Sequence, residues 1–398
     1  MAAITAAFLL SSCGADPATP LPPATNQTFR IVSSLPYKGP SALQANLMRQ
    51  GIELAIEDWR AVLPGWTIEH VALDGGDAES GEPSSQVEAS NARGAANDKS
   101  VFGYIGPYTS GAAMVSLPIL NQAGLLQVLP VATWPGLTQS GWASEEPGRY
   151  YPTGSRHAVR LVPPDSAQAR VAARKARELG AASALVLSDE SDYSKGMVAA
   201  FQDEATRLGM TVVAGTNLSA ATAEWTLPGK QVDMVFVAPS SLSMAERAGV
   251  IIAQDPPRIG VFATDVLLSD RLSEAARNTM EGWYVTFNGD PTPGGSQRFS
   301  EFAAKFHDRF GVPPSQSAIN SYDVTAAVLE TASQVGVDRH KILEAVLTGE
   351  YEAGVGGALA FEPGGDRQGG YLTLYRLVNG NFELLGEIEA PRNGPARP

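Results

Sequence analysis

Val101-Phe-Gly-Tyr-Ile105 followed by Gly106-Pro-Tyr-Thr-Ser-Gly111, then Gly124-Leu-Leu-Gln-Val-Leu129 followed by Pro130-Val-Ala-Thr133, is the stretch that decides the fold. Two apolar strands each run into a turn that carries hydroxyls. Between them, residues 112–122 have the spacing of an amphipathic helix. Strand, crossover helix and second strand read as a right-handed βαβ unit. Ligands of open α/β sheets sit outside the carboxyl ends of the strands, where both hydroxyl turns fall. The first turn also opens a helix, whose free N–H groups and positive dipole end favour an anion. Ser110 and Thr133 are therefore placed to hold one carboxylate from two sides. The same residues are also compatible with Ser110 as an ordinary N-cap and Thr133 as an ordinary loop residue.

The α/β rhythm continues on both sides of this unit. Toward the N-terminus, residues 29–34 and 66–74 read as strands flanking a long helix over 43–61, and a shorter helix ends near residue 96. In the long helix Leu47, Gly51, Leu54, Ala55 and Trp59 share one face. Residues 141–153 form a polar and aromatic loop, and 157–163 a connecting strand. A second series then begins. Helices are expected over 166–179, 197–208 and 242–253, and strands over 182–187, 211–216, 232–238, 258–263 and 281–287. Asp165 stands where an N-cap would. Two further helices (297–310 and 317–334) precede a hairpin over 371–385, turned by Asn379-Gly380. The fold class is thus α/β, with two Rossmann-like lobes and a ligand cleft between them. Such clefts close by hinge motion. The expected division is 1–28 as signal and tether, 29–158 plus 286–353 as the first lobe, 159–285 plus 354–389 as the second, and 390–398 as a flexible tail.

The chain has 398 residues, 44% hydrophobic and 18% charged, a mixture that builds sizeable cores. Its net charge of −13, without a Lys/Arg cluster, excludes nucleic acid as the expected partner. A single cysteine, Cys13, forbids an intramolecular disulfide. It follows a short apolar run over residues 2–10, too short to span a bilayer and similar to the hydrophobic region of a secretory signal. Leu10-Ser-Ser-Cys13 resembles a bacterial lipobox, which implies that Cys13 is lipidated, although no Lys or Arg precedes it. Residues 15–27 hold four prolines and read as an extended tether. Past residue 28 no run is long and apolar enough for a membrane span.

Taken in order, several short motifs resemble the branched-chain amino-acid binding proteins of ABC importers, the type I periplasmic solute-binding proteins. They are Leu35-Pro-Tyr-Lys-Gly-Pro40, Gly51-Ile-Glu-Leu-Ala-Ile-Glu-Asp58, Ile105-Gly-Pro-Tyr-Thr-Ser-Gly111 and Pro130-Val-Ala-Thr133, then Asp192-Tyr-Ser-Lys-Gly196, Ala263-Thr-Asp265 and Ser321-Tyr-Asp-Val324. The resemblance runs from about residue 29 to 385. It implies that Ser110, the Val131 main chain and Thr133 clamp a ligand carboxylate. Tyr193 would close over the α-carbon from the second lobe, and Asp265 would pair with an α-ammonium. By local pattern alone, Tyr193 is also compatible with packing on its own lobe, and Asp265 with capping a helix near Leu268. Three departures stand out: serines at Pro239-Ser-Ser241, Leu43-Gln44 in place of a cleft tyrosine, and a carboxylate at 265 one methylene shorter than the common glutamate. With Tyr108 inside the first clamp turn and Trp134 directly after Thr133, they are compatible with a larger, more polar or aromatic ligand.

No enzyme signature competes. His70, His157, His307 and His340 lack metal-ligand spacing, and no nucleophile elbow, Walker sequence or dinucleotide fingerprint is present. No catalytic residue, metal or cofactor is expected. The expectation is an exported, lipid-anchored protein, periplasmic or cell-surface, that captures a small ligand, an amino acid or related carboxylate, by hinge closure and delivers it to an ABC permease. The alternative is a receptor of the same fold that senses an amide or aromatic acid and signals to a membrane partner.

Overall fold

The computed structural model describes residues 28–189, 191–219, 232–269, 271–288, 296–352 and 354–391. Cys13, the lipobox and the tether lie outside them. The first lobe opens with β1 (Thr28–Leu35), α1 (Ala42–Val62), β2 (Thr67–Asp74), α2 (Ser85–Asn97), β3 (Val101–Ile105), α3 (Ser110–Gln122), β4 (Gln127–Leu129) and β5 (Ala158–Arg160). The second is built from α4 (Asp165–Glu178), β6 (Ser183–Ser188), α5 (Asp192–Arg207), β7 (Thr211–Asn217), β8 (Met234–Ala238), α6 (Leu242–Ile252), β9 (Gly260–Ala263), α7 (Glu274–Thr279) and β10 (Tyr284–Phe287). The chain then returns to the first lobe with α8 (Gln297–Phe310), α9 (Gln316–Val335), α10 (Arg339–Thr348) and the short pair β11 (Glu350–Tyr351) and β12 (Leu359–Ala360). It ends on the second lobe with β13 (Tyr371–Val378) and β14 (Asn381–Glu389).

The first sheet is parallel throughout, in the order β2-β1-β3-β4-β5. The second runs β14-β13-β10-β9-β8-β6-β7, parallel from β10 to β7, with β13 and β14 antiparallel at one edge. Read from β6, its parallel part repeats the order of the first sheet. Each lobe therefore has a switch point, between β1 and β3 and between β6 and β8, where loops diverge and leave a crevice. Parallel strands covered on both faces lose polar alternation. Accordingly β3 and β8 are buried at every position.

Helices cover both faces. In the first lobe α1, α9 and α10 pack Ile52, Val328 and Ile342 on Phe29 and Ile31. On the other face α2 and α3 pack Ala92 and Leu120 on Val32 and Tyr104. The second lobe does the same with α6 and α7 on one side, and with α4 and α5 on the other. Motif residues far from the cleft turn out to brace this scaffold. The Tyr322 hydroxyl donates to Asp58 at 2.9 Å, tying α9 to α1. The Asp323 carboxylate takes the N–H groups of Val355 and Gly356, both at 2.8 Å.

Strand pairing corrects the expected boundaries. β5 hydrogen-bonds to β4, so residues 159 and 160 belong to the first lobe. Thr286 and Phe287 lie in β10 of the second sheet, whereas Leu359 and Phe361 join the first lobe's core. Ala390, expected in the tail, is tied to the second lobe: its N–H donates to the Gly370 carbonyl at 2.6 Å. Residues 392–398 lie outside the described residues.

Candidate functional site

The expected site residues follow the carboxyl ends of β3 and β4 in the first lobe and of β6 and β9 in the second. On the first-lobe side α3 starts at Ser110, and its N-cap is Thr109, whose hydroxyl accepts from the Ala112 N–H at 3.4 Å. The cap reading of Ser110 is thereby corrected. Its half-buried Oγ accepts instead from the Trp134 N–H at 3.1 Å, linking the two hydroxyl turns. A serine hydroxyl that accepts one bond keeps its own proton to donate. Val131 packs on Leu35, Ala45 and Met48 beside Tyr37 and Tyr108. The Tyr108 hydroxyl donates to the Gln44 Oε1 at the rim. Trp134 points its indole N–H at the buried Glu146 carboxylate, 3.0 Å and 3.2 Å from the two oxygens. Tyr150 donates to the same carboxylate at 2.5 Å. Trp134 is thus held from within its own lobe.

On the second-lobe side α5 begins five residues before its expected start, at Asp192 after the Ser191 cap, so Tyr193 sits in its first turn. Burial raises the Tyr193 phenol well above its ordinary range, and the nearby carboxylates of Asp165 and Asp265 add to the rise. Asp265 opens a single 3-10 turn, Asp265–Leu267. The next helix, α7, is capped by Ser273, so Asp265 caps no helix near Leu268. Burial raises its carboxyl above the ordinary range.

Asp165 joins the two halves, and its local pattern hid this. The cap position of α4 is Pro164, and Asp165 is the first helical residue. Its N–H donates to the Thr133 carbonyl at 3.0 Å, and the Thr133 hydroxyl lies against its carboxyl. Gln168 Nε2 and Asn288 Nδ2 donate to its Oδ1 at 3.2 Å and 2.8 Å. The Gln168 Oε1 accepts from the Asp265 N–H at 3.3 Å and from the Thr286 hydroxyl at 3.1 Å. Burial raises the Asp165 carboxyl strongly and the neighbouring Asp265 raises it further, while Arg160 opposes the rise.

Arg160 itself is fully buried. It binds Asp366 through Nε at 2.9 Å and Nη2 at 2.6 Å, and donates to the Trp134 carbonyl at 2.7 Å. Two crossings between lobes are therefore stitched to the first one: the third by Arg160–Asp366, the second by Asp165–Asn288. Trp142, from the first-lobe loop after Trp134, packs its ring edge to face with Trp134 at 5.4 Å. It reaches across to Gly196 of α5, where an added Cβ would stand 2.1 Å from the indole. The glycine of the Tyr193-x-x-Gly196 motif is the seat of that ring.

Elsewhere, an open groove of about 660 Å³ lies at the amino ends of β1 and β3, remote from the cleft. Its Arg339 is committed to main-chain carbonyls, including Val101 at 2.7 Å. Among the described residues no His, Cys, Asp and Glu group could hold a metal ion, and no helix is long and apolar enough to cross a membrane.

The periplasmic binding protein family model matches residues 28–381. The chain belongs to the periplasmic binding protein family. It is a solute-binding protein of the type used by ABC transporters, with no enzymatic role. A Leu/Ile/Val-binding protein of Rhizobium johnstonii is 26% identical over 54% of this chain and 55% of its own length, so this match spans about half of that relative. A Leu/Ile/Val-binding protein homolog of Brucella suis is 24% identical over 87% of this chain and 89% of its own. Among solved structures, a substrate-binding protein from Desulfitobacterium hafniense in complex with Leu aligns at TM-score 0.65 and 22% identity, covering 90% of this chain and all of its own. A solute-binding protein from R. palustris in complex with benzoate aligns at TM-score 0.59 and 18% identity, over 90% and 96% of the two chains. These binding proteins share the two-lobed fold.

Proposed function

We propose that this periplasmic binding protein is an exported, lipid-anchored receptor that captures an amino acid by hinge closure and hands it to an ABC importer. What supports the reading is the polarity of the residues proposed for the two sides of the cleft. One wall offers hydroxyls and a helix N-terminus, at Ser110 and Thr133. The other offers carboxylates, with Asp265 beside Tyr193. A zwitterion matches that arrangement end for end, and charge-assisted hydrogen bonds fix its orientation. Ser110, Thr133 and the Val131 main chain take the ligand carboxylate, Asp265 the ammonium, and Tyr193 closes over the α-carbon. Tyr108 and Trp134 wall the side-chain end. The relatives bearing Leu/Ile/Val-binding names and the neighbour solved with Leu support an amino acid. The neighbour solved with benzoate keeps an aromatic acid as the second reading. Leu10-Ser-Ser-Cys13 supports the anchor at Cys13.

The test is a thermal-shift screen with amino acids, their amides and aromatic acids, followed by calorimetry, since a ligand that binds only the folded state raises the melting temperature. Ser110→Ala and Asp265→Ala are each expected to weaken an amino-acid ligand at least about tenfold, or about 1.4 kcal/mol. Unchanged affinity in either variant removes that residue from the site. Shifts with aromatic acids alone replace the amino-acid reading with the second one.

A further inference from the structure

We infer that Asp165 is a second ligand-facing carboxylate, which with Asp265 forms a paired seat for one cationic nitrogen of the ligand. The inference rests on the amino-acid reading and deepens it. It restricts the ligand to compounds that carry an ammonium or amidinium, and it excludes plain acids.

Asp165 is held by its N–H on the Thr133 carbonyl, with its carboxyl against the Thr133 hydroxyl, at the heart of the clamp. Its carboxyl and that of Asp265 feel each other, and one side chain, Gln168, ties both residues: Nε2 to the Asp165 carboxylate, Oε1 to the Asp265 N–H. Two neighbouring carboxylates in a buried site repel, so the pair is stable only with a proton or a cation between them.

A second, independent observation points to a ligand. Asn288 is 6% exposed and donates Nδ2 to Asp165, yet its Oδ1 has no hydrogen-bond partner among the described residues. Thr264 is fully buried, with its hydroxyl against the Tyr193 phenol. Buried polar groups are normally satisfied, and a lone acceptor costs free energy until a donor reaches it. The site thus presents two carboxylates and an amide oxygen, all acceptors. Arg160 is the protein cation that acts on Asp165, but its guanidinium is committed to Asp366 and main-chain carbonyls. A donor-rich cation from outside completes the set. The groups facing the pair are Tyr193 from α5, Arg160 from β5 with its partner Asp366, and each carboxyl toward the other.

A pH signature follows. The carboxyls of the folded, ligand-free protein are raised above their unfolded values, so their contribution to stability is complete below the ordinary carboxylate range. It is lost as pH rises through the folded values. A cation reverses this, and its affinity rises with pH over the same window.

The test uses the full-length protein, as wild type, Asp165→Asn and Asp265→Asn, with three probes for each of two side chains. These are L-leucine, 3-methylbutylamine and 4-methylpentanoate, then L-phenylalanine, phenethylamine and 3-phenylpropionate. Calorimetry is expected to find the amino acid binding well above the amine-free acid. Each variant should lose at least about tenfold, and the rise of affinity between about pH 5 and pH 8 should shift to lower pH in Asp165→Asn, where Asp265 has lost its anionic neighbour. Melting curves without ligand supply the second measurement. Wild type should lose ground to Asp165→Asn as pH rises. Parallel melting profiles, equal affinities, or an acid that binds as tightly as the amino acid overturn the inference. Failure of all six probes to bind overturns the amino-acid reading instead, and the ligand-free melting profiles then decide the carboxylate pair by themselves.

Discussion

Arg160 contacts no residue near it in sequence that would betray its role. Its guanidinium pairs with Asp366, which is also held by Thr138 at 2.8 Å and Gln139 at 2.7 Å, and it fixes the Trp134 carbonyl just past the clamp turn. A buried ion pair costs desolvation on both sides, so its partners matter most when one is removed. Arg160→Met is expected to destabilise the protein by about 3–5 kcal/mol, because the buried Asp366 loses the Arg160 guanidinium. The double variant Arg160→Met with Asp366→Leu should recover a good part of that loss. Urea unfolding of both decides it: a single variant as stable as wild type would mean the pair does not brace the hinge. Ser110 and Thr133 could be proposed from the sequence because a hydroxyl at the end of an apolar strand is a local pattern. Asp165 was legible only as a helix-start residue. An aspartate before a helix satisfies the capping rule by itself, and nothing local distinguishes it from one whose carboxyl bonds to a distant Asn288.

At the scale of elements, the α/β alternation was read from periodicity, and most helices and strands lie where it put them. The hairpin turn has Asn379 at φ 49° and Gly380 at φ 73°, the left-handed pair that Asn-Gly predicts. What escaped were elements without a strong pattern: α10, the short β11 and β12, and the early start of α5. Contact between elements far apart in sequence was equally hidden. Gly51 was read as part of a buried face, but its reason lies in α9: an added Cβ would stand 2.1 Å from the Ala318 carbonyl oxygen. Gly51→Ala gains about 1 kcal/mol of helix propensity. Overpacking against a main chain costs about 1–3 kcal/mol and forces the helices apart. The expected result is a net loss of stability and a lower melting temperature, read by calorimetry. A melting temperature raised by the substitution would show that α1 and α9 can separate freely.

At the scale of the molecule, the proposed closure depends on what the first lobe sets against the second. Trp142 is packed on Trp134 and laid over Gly196, so the two lobes meet on a flat glycine surface beside Tyr193. Gly196→Ala puts a methyl group where the indole lies. The lobes then cannot meet as they do here without displacing Trp142. Each lobe keeps its own core, so the ligand-free melting temperature should change little. Ligand affinity should fall about tenfold or more, because binding must then carry the cost of a strained closure. Calorimetry combined with small-angle scattering tests this: unchanged affinity and an unchanged ligand-bound envelope would mean that the Trp142 seat is incidental to closure.

The sequence alone determined the fold class, the order of elements, the two hydroxyl turns and the residues that carry the family resemblance. Periodicity, turn residues and motifs act over a few positions, and a few positions are enough to recognise them. Tertiary structure alone decided where the lobes divide, that Asp165 lies with Asp265 and Tyr193, and how the crossings are bound together. Asp165 and Asn288 are 123 positions apart, and Arg160 and Asp366 are 206. No local preference encodes such contacts. They arise when sheets and helices pack, and buried polar groups must then find partners wherever the chain has brought them.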